Sequence, residues 1–326
     1  MQKPLKRLYD KAFDSQNTAY YGMMVGMGKK TSKSRMVKGA DMLIALSAYL
    51  VWGVLPVYWK QVKAVAAMEI LVHRILWSLV FLVVFIAARK EFKPFIRDIV
   101  STFRDPKRLL LLVLAAFFLN LNWLVYIWAV NHNQMVYTSL GYYINPILSV
   151  IFGQILLKEC LNAFQWGAFC IVIIGVLWLI VQTGALPWVS LVLAVSFALY
   201  GLIKKKTPVP AVSSLTMETF VSSFPALGYW VWLVWMGQSE FVNAWNVNHL
   251  YLLGAGIVTA VPLILFNLGA KRLPLYVIGL FQYITPTMTL LTGVLWYKEP
   301  FSSVQLTSFV MIWAGLLLFF LFTYRR

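Results

Sequence analysis

The stretch SLGYYINPILSVIFGQILLKECLNAFQWGAFCIVIIGVL, residues 139–177, returns as GLFQYITPTMTLLTGVLWYKEPFSSVQLTSFVMIWAGLL, residues 279–317. With an offset of 140 and no gap, Tyr143 falls on Tyr283, Ile144 on Ile284, Pro146 on Pro286 and Gly153 on Gly293. Lys158-Glu159 falls on Lys298-Glu299, Gln165 on Gln305 and Gly175 on Gly315. Each copy reads as an apolar helix interrupted by proline, a short Lys-Glu turn and a second apolar helix. An internal repeat decides the architecture, so it is read before anything else.

Outward from the repeat, the whole chain is apolar. Its 326 residues are 61% hydrophobic and 12% charged, with a mean hydropathy of +0.76. A water-soluble domain averages about 45–50% apolar and about 25% charged residues, so the composition is that of a polytopic membrane protein. Ten apolar segments have the length of a bilayer core. They run approximately over 40–58, 68–88, 108–130, 135–157, 163–181, 187–203, 213–236, 249–270, 275–297 and 303–323. Lipid offers the backbone no partners, so each is expected to be a helix. The expected class is therefore all-α, a polytopic membrane protein of ten transmembrane helices.

Lys and Arg set the orientation. With the N-terminus inside, 24 of the 28 lie in the tail, the even-numbered loops and the C-terminus, including Lys204, Lys205, Lys206, Lys271 and Arg272. The outside loops hold Lys60, Lys63 and Lys298, and Arg74 lies within helix 2. Both termini are thus expected in the cytoplasm, and the net charge of +17 reflects the membrane rather than nucleic acid. Five helices per copy is an odd number, so the second copy enters from the opposite side. Trp52-Gly53 against Tyr200-Gly201, and Met68-Glu69 against Met217-Glu218, extend the match upstream. The expected organisation is a basic tail (1–38) and two inverted five-helix repeats (39–181 and 187–326), a 5+5 construction. Inverted repeats are the usual build of secondary transporters, with a substrate site at midplane where the halves meet.

The tail lacks the apolar core of a signal peptide. It is read as a cytoplasmic basic segment beside anionic lipid, or as sequence upstream of a later start at Met23, Met24, Met27 or Met36. Cys160 and Cys170 form no CxxC and are expected to pack as small apolar groups.

Several motifs resemble a known family. Glu69-Ile70-Leu71-Val72-His73-Arg74, Asn122-Trp123, Trp128-Ala129-Val130-Asn131 and Ser139-Leu140-Gly141-Tyr142 resemble the EamA-type permeases of the drug/metabolite transporter superfamily. So do Ile144-Asn145-Pro146, Gly256-Ile257-Val258-Thr259 and Phe281-Gln282-Tyr283-Ile284-Thr285-Pro286, and the branch they match is RarD (chloramphenicol-sensitive protein). The resemblance runs from about residue 39 to the C-terminus; the basic tail departs from it. It implies ten helices, a bacterial cytoplasmic (inner) membrane location and a transport role, without naming a substrate.

Candidate residues follow from polarity at membrane depth. Glu69 and His73 lie four apart on one face of helix 2, beside Arg74, and an ionisable residue there is a functional candidate because leaving it unpaired is costly. A Glu-His pair suits proton or substrate coupling. The alternative is a helix start at the outer interface, with Glu69 paired to Arg74 or Lys63. Glu218 holds the repeat-equivalent place in helix 7, with the same two readings, and Ser222-Ser223 nearby. Pro146 and Pro286 each delete a backbone bond and are candidate hinges. Asn122, Trp123, Tyr143, Asn145, Gln282 and Tyr283 are candidates to line a cavity, the alternative being bonds between helices. Lys158-Glu159 and Lys298-Glu299 are read as turn formers. No GxxxxGK[ST], HExxH or GxSxG occurs, so no enzyme, cofactor or metal site is expected and transport must run on a gradient. The expected function is secondary transport of a small organic solute by alternating access, with proton coupling. A non-transporting membrane sensor or scaffold is the alternative.

Overall fold

The computed structural model describes residues 39–62, 65–131, 135–184, 188–243, 247–296 and 302–324, so the basic tail, Lys63 and the Lys298-Glu299 turn lie outside the described residues. Within them every regular element is helical. The first half comprises α1 (Gly39–Trp59), α2 (Ala67–Ala88), α3 (Phe92–Arg104), α4 (Pro106–Asn131), α5 (Met135–Leu157) and α6 (Ala163–Thr183). The second comprises α7 (Trp188–Lys206), α8 (Ala211–Trp235), the single turn α9 (Glu240–Asn243), α10 (Val247–Arg272), α11 (Leu275–Phe281), α12 (Ile284–Leu291) and α13 (Ser303–Tyr324). Among the described residues, six helices are long and apolar enough to cross a membrane: Gly39–Trp59, Ala67–Ala88, Pro106–Tyr126, Ala163–Gln182, Trp188–Lys206 and Val247–Arg272.

The loop expected between helices 2 and 3 contains α3, which the sequence reading missed. Phe95 is buried, while Phe92, Ile96, Val100 and Phe103 stay exposed beside Lys93, Arg97 and Arg104. That mixture belongs to a helix lying along a membrane surface. Asp98 on α3 accepts from the Ser213 hydroxyl at 2.6 Å, tying α3 to the start of α8. Burial pushes the Asp98 carboxyl above its ordinary range, and the Ser213 bond opposes the shift.

The segment expected as one helix over 275–297 is divided. α11 ends at Phe281, Gln282 and Tyr283 form a turn, α12 follows, and Thr292–Trp296 is a π-helix. Its repeat copy, α5, runs unbroken through Pro146. Pro286 instead lies in the first turn of α12, where a missing N–H costs nothing. Only one of the two proline segments is therefore interrupted.

Packing follows the repeat. α4 packs on α7 as α10 packs on α1, and α5 packs on α7 as α12 packs on α1. α2 packs on α10 as α8 packs on α4. Three contacts join an element to its own repeat copy: α2 with α8, α5 with α11, and α6 with α13. In the last pair a Cβ on Gly175 would come within 3.0 Å of the Met311 side chain, and one on Gly315 within 2.7 Å of Val172. The conserved spacing of these two glycines within the repeat thus reflects two helices pressed backbone to backbone, as small residues allow in lipid.

Candidate functional site

α2 carries Glu69, His73 and Arg74, and the fold separates them into two environments. Glu69 is fully buried and does not pair with Arg74. Its carboxylate accepts from the Ser239 hydroxyl at 2.6 Å, from the Phe241 N–H at 3.2 Å and from the Glu240 N–H at 3.1 Å. It therefore caps α9 from a helix 170 residues away in sequence. The interfacial pairing with Arg74 is corrected by this geometry. His73, also buried, takes the Trp77 indole N–H on Nδ1 at 3.2 Å, which assigns the neutral ring's proton to Nε2. Nε2 has no hydrogen-bond partner and lies 4.0 Å from Glu69 Oε1.

Arg74 turns the other way. Its Nε donates to Thr259 Oγ1 at 3.2 Å, and its guanidinium lies over two indoles, 4.9 Å from the Trp59 ring and 4.7 Å from the Trp123 ring. Thr259 and Trp123 also line a narrow internal cavity walled by α2, α4, α8 and α10. Ser78 of α2, Asn120 of α4, Glu218, Thr219 and Ser222 of α8 and Thr259 of α10 supply its polar lining. On the α4–α8 side Asn120 donates to Ser222 at 2.6 Å. On the α2–α10 side the backbones meet more closely: Ser78 Oγ donates to the Gly256 carbonyl at 3.1 Å, and a Cβ on Gly256 would fall 2.2 Å from the Trp77 carbonyl carbon.

Glu218 is buried; Ser222 donates to its backbone carbonyl at 2.8 Å, but neither Ser222 nor Ser223 bonds its carboxylate. Lys204 Nζ lies 2.5 Å from Glu218 Oε1, and Ser214 Oγ donates to the same oxygen at 2.7 Å. The Tyr200 hydroxyl, 3.4 Å from Oε2 and 3.3 Å from Asn267 Oδ1, closes the cluster. Lys204, counted above among the cytoplasmic charges, is 0% exposed. A charge-counting rule treats every terminal lysine as solvated, whereas this one points inward to neutralise a buried carboxylate. The signal available in the sequence was that Glu218 needed a cation and that Lys204, Lys205 and Lys206 end the preceding apolar helix.

The remaining candidates hold helices together. Asn122 donates to the Leu193 carbonyl at 2.9 Å and Ser196 at 3.0 Å, away from the cavity. Asn145 donates to the Ala194 carbonyl at 2.6 Å and leaves its Oδ1 buried without a partner. The Tyr283 hydroxyl donates to the carbonyl of its own repeat copy, Tyr143, at 3.0 Å, which ties the turn after α11 to α5. Gln282 is buried beside Tyr49 with its Oε1 unpaired. Pro146 and Pro286 line no part of the cavity described above. Glu159, read only as a turn former, does more. Lys158 makes the turn with φ of 55°, and Glu159 accepts from the Leu275 and Tyr276 N–H groups at 2.8 and 3.2 Å. It caps α11, with Lys205 Nζ 3.5 Å away.

The model of the EamA-like transporter family matches residues 40–181 and again 186–321. The chain belongs to this family. An uncharacterized transporter of Bacillus subtilis, YojE, is 45% identical over 273 residues, covering 83% of this chain and 90% of that protein. Protein RarD of Escherichia coli is 38% identical over 289 residues, covering 87% and 96%. Within the family this chain is thus of the RarD branch, a multi-pass membrane transporter. A solved crystal structure shares its fold with a TM-score of 0.66 at 18% identity, over 88% of this chain and 99% of that one.

Proposed function

We propose that this transporter moves a small organic solute by alternating access, its ten spans forming two five-helix units of opposite orientation in the bacterial cytoplasmic membrane, with both termini in the cytoplasm. One observation carries the reading. The cavity lies where α2, α4, α8 and α10 meet, and these are two repeat-related pairs, α2 with α8 and α4 with α10. A site at the junction of two equivalent units can be opened by either one rocking against the other. Single cysteines at Asn120 or Ser222, with Cys160 and Cys170 replaced, test it. An impermeant maleimide is expected to reach them from each face of oriented vesicles; reaction from one face only overturns alternating access.

Glu69 and His73 are proposed as the proton-coupling pair. Three donors converge on Glu69. Protonation removes the charge that strengthens these three bonds, so the hold of Glu69 on the 239–241 segment weakens. In vesicles loaded with a pH dye and offered a metabolite panel, the wild type is expected to move protons when its solute is added. Glu69→Gln is expected to fold and to lose that movement; unchanged proton movement sinks the coupling role.

A further inference from the structure

The transport reading leaves the chemistry of the cargo open, and Arg74 bears on it. Arg74 lies seven residues past the start of α2, about 10 Å along the helix. No carboxylate pairs with it among the described residues: Glu69 is committed to residues 239–241 and Glu218 to Lys204. Its Nε bond to Thr259 uses one of five N–H donors. The two Nη groups, the flat fork that fits a carboxylate, have no protein acceptor among the described residues, and the side chain is half-buried rather than sealed. The Trp59 and Trp123 rings both lie within 5 Å of the guanidinium carbon, at 4.9 and 4.7 Å, and Tyr126 and Tyr142 lie near enough to act on its charge. Thr259 and Trp123 belong to the cavity wall, so Arg74 borders the cavity through these two residues.

A charge inside a membrane protein is retained where something neutralises it. Here the counter-charge is absent from the described protein while the recognition geometry for it is present. We infer that Arg74 is the docking point for a carboxylate-bearing solute. Its two oxygens take the Nη fork in a bidentate pair, and an apolar or aromatic body lies against the indole walls. The pair holds guanidinium and carboxylate in one plane beside aromatic rings, an arrangement a lysine cannot reproduce.

This inference rests on the transport reading for its biological meaning, but its test does not require transport. Thermal unfolding of the detergent-purified protein is followed with acetate, benzoate and indole-3-acetate, each against its amide at matched ionic strength. A ligand that binds the folded state stabilises it. Benzoate or indole-3-acetate is expected to raise the midpoint by roughly 2–4 °C at about ten times its dissociation constant, and the amides by nothing measurable. Arg74→Gln should lose the shift. Arg74→Lys should weaken the apparent affinity by about tenfold or more, since charge remains and the fork is lost. Thr259→Val, which keeps the arginine, should give an intermediate loss. Three results each overturn the site: carboxylates and amides that stabilise equally, a carboxylate shift that survives in Arg74→Gln, or no carboxylate shift in the wild type. Radiolabelled benzoate counterflow in proteoliposomes then separates the two readings. Carboxylate binding without counterflow leaves the anion site standing and sinks transport. Movement of neutral or cationic solutes with no carboxylate binding does the reverse.

Discussion

Glu69 and Glu218 occupy matched positions in the two repeats, on α2 and α8, and both are buried, yet the fold satisfies them in opposite ways. Glu69 is held by neutral donors, a hydroxyl and two backbone N–H groups from the segment after α8. Glu218 is held by a buried ammonium on the neighbouring helix. The two carboxylates thus have neutral partners in one half and a charged partner in the other. The interfaces beside them differ in the same sense. α2 and α10 touch at backbone distance through Gly256, while α4 and α8 are spaced by Asn120 and Ser222. Equivalent places in a doubled chain need not do equivalent work.

That contrast can be broken most sharply at Lys204. Lys204→Met leaves Glu218 charged and enclosed, and is expected to cost about 3–5 kcal/mol in denaturant unfolding. The double variant Lys204→Met/Glu218→Leu should return most of it, because a well-packed apolar pair replaces a buried ion pair at little cost. Full loss in the double variant would mean that Glu218 serves more than its lysine. Gly256→Ala pushes a methyl into the Trp77 backbone rather than a flexible side chain, with an expected cost of about 3 kcal/mol. The matched change on the wider interface, Ser222→Ala, removes the bonds to Asn120 and to the Glu218 carbonyl and should cost about 1–2 kcal/mol. Equal costs would remove the asymmetry claimed for the two interfaces.

Glu69→Gln is expected to cost about 2 kcal/mol, since one of its oxygens becomes a donor facing donors. A larger loss than Lys204→Met would reverse the contrast between the neutral and the charged partner sets. Asp98→Asn should change stability by less than about 1 kcal/mol at neutral pH, because Ser213 can still donate to the amide oxygen. The sign of its pH dependence is fixed by the raised carboxyl. Asp98 holds its proton more tightly when folded, so its contribution is present at low pH and fades as pH rises past the folded value. Unfolding midpoints across acid pH should show this slope in the wild type and lose it in the variant.

Much of the outline was legible beforehand. Gly175 and Gly315 repeat because they face each other's helices, and Tyr143 and Tyr283 because their rings pack together, 6.3 Å between centroids. Such symmetric contacts leave identical residues at a fixed offset, so a sequence compared with itself exposes them. The break after Phe281 left no such trace: the 275–297 segment is as apolar and as proline-marked as its unbroken copy. The loop helix α3 was hidden for another reason, since charged residues interleave with its apolar ones and no bilayer-length run results.

The sequence by itself determined that this chain is helical, membrane-embedded and internally doubled. Those properties depend on how many apolar residues stand in a row and on how they recur, and both are one-dimensional. Tertiary structure decided the partners: Lys204 for Glu218, the 239–241 backbone for Glu69, and for Arg74 two indoles and a threonine in place of a carboxylate. The physical reason is that a buried charge is satisfied by whatever donor or acceptor the packing brings within about 3 Å. That proximity links residues 14 to 185 positions apart.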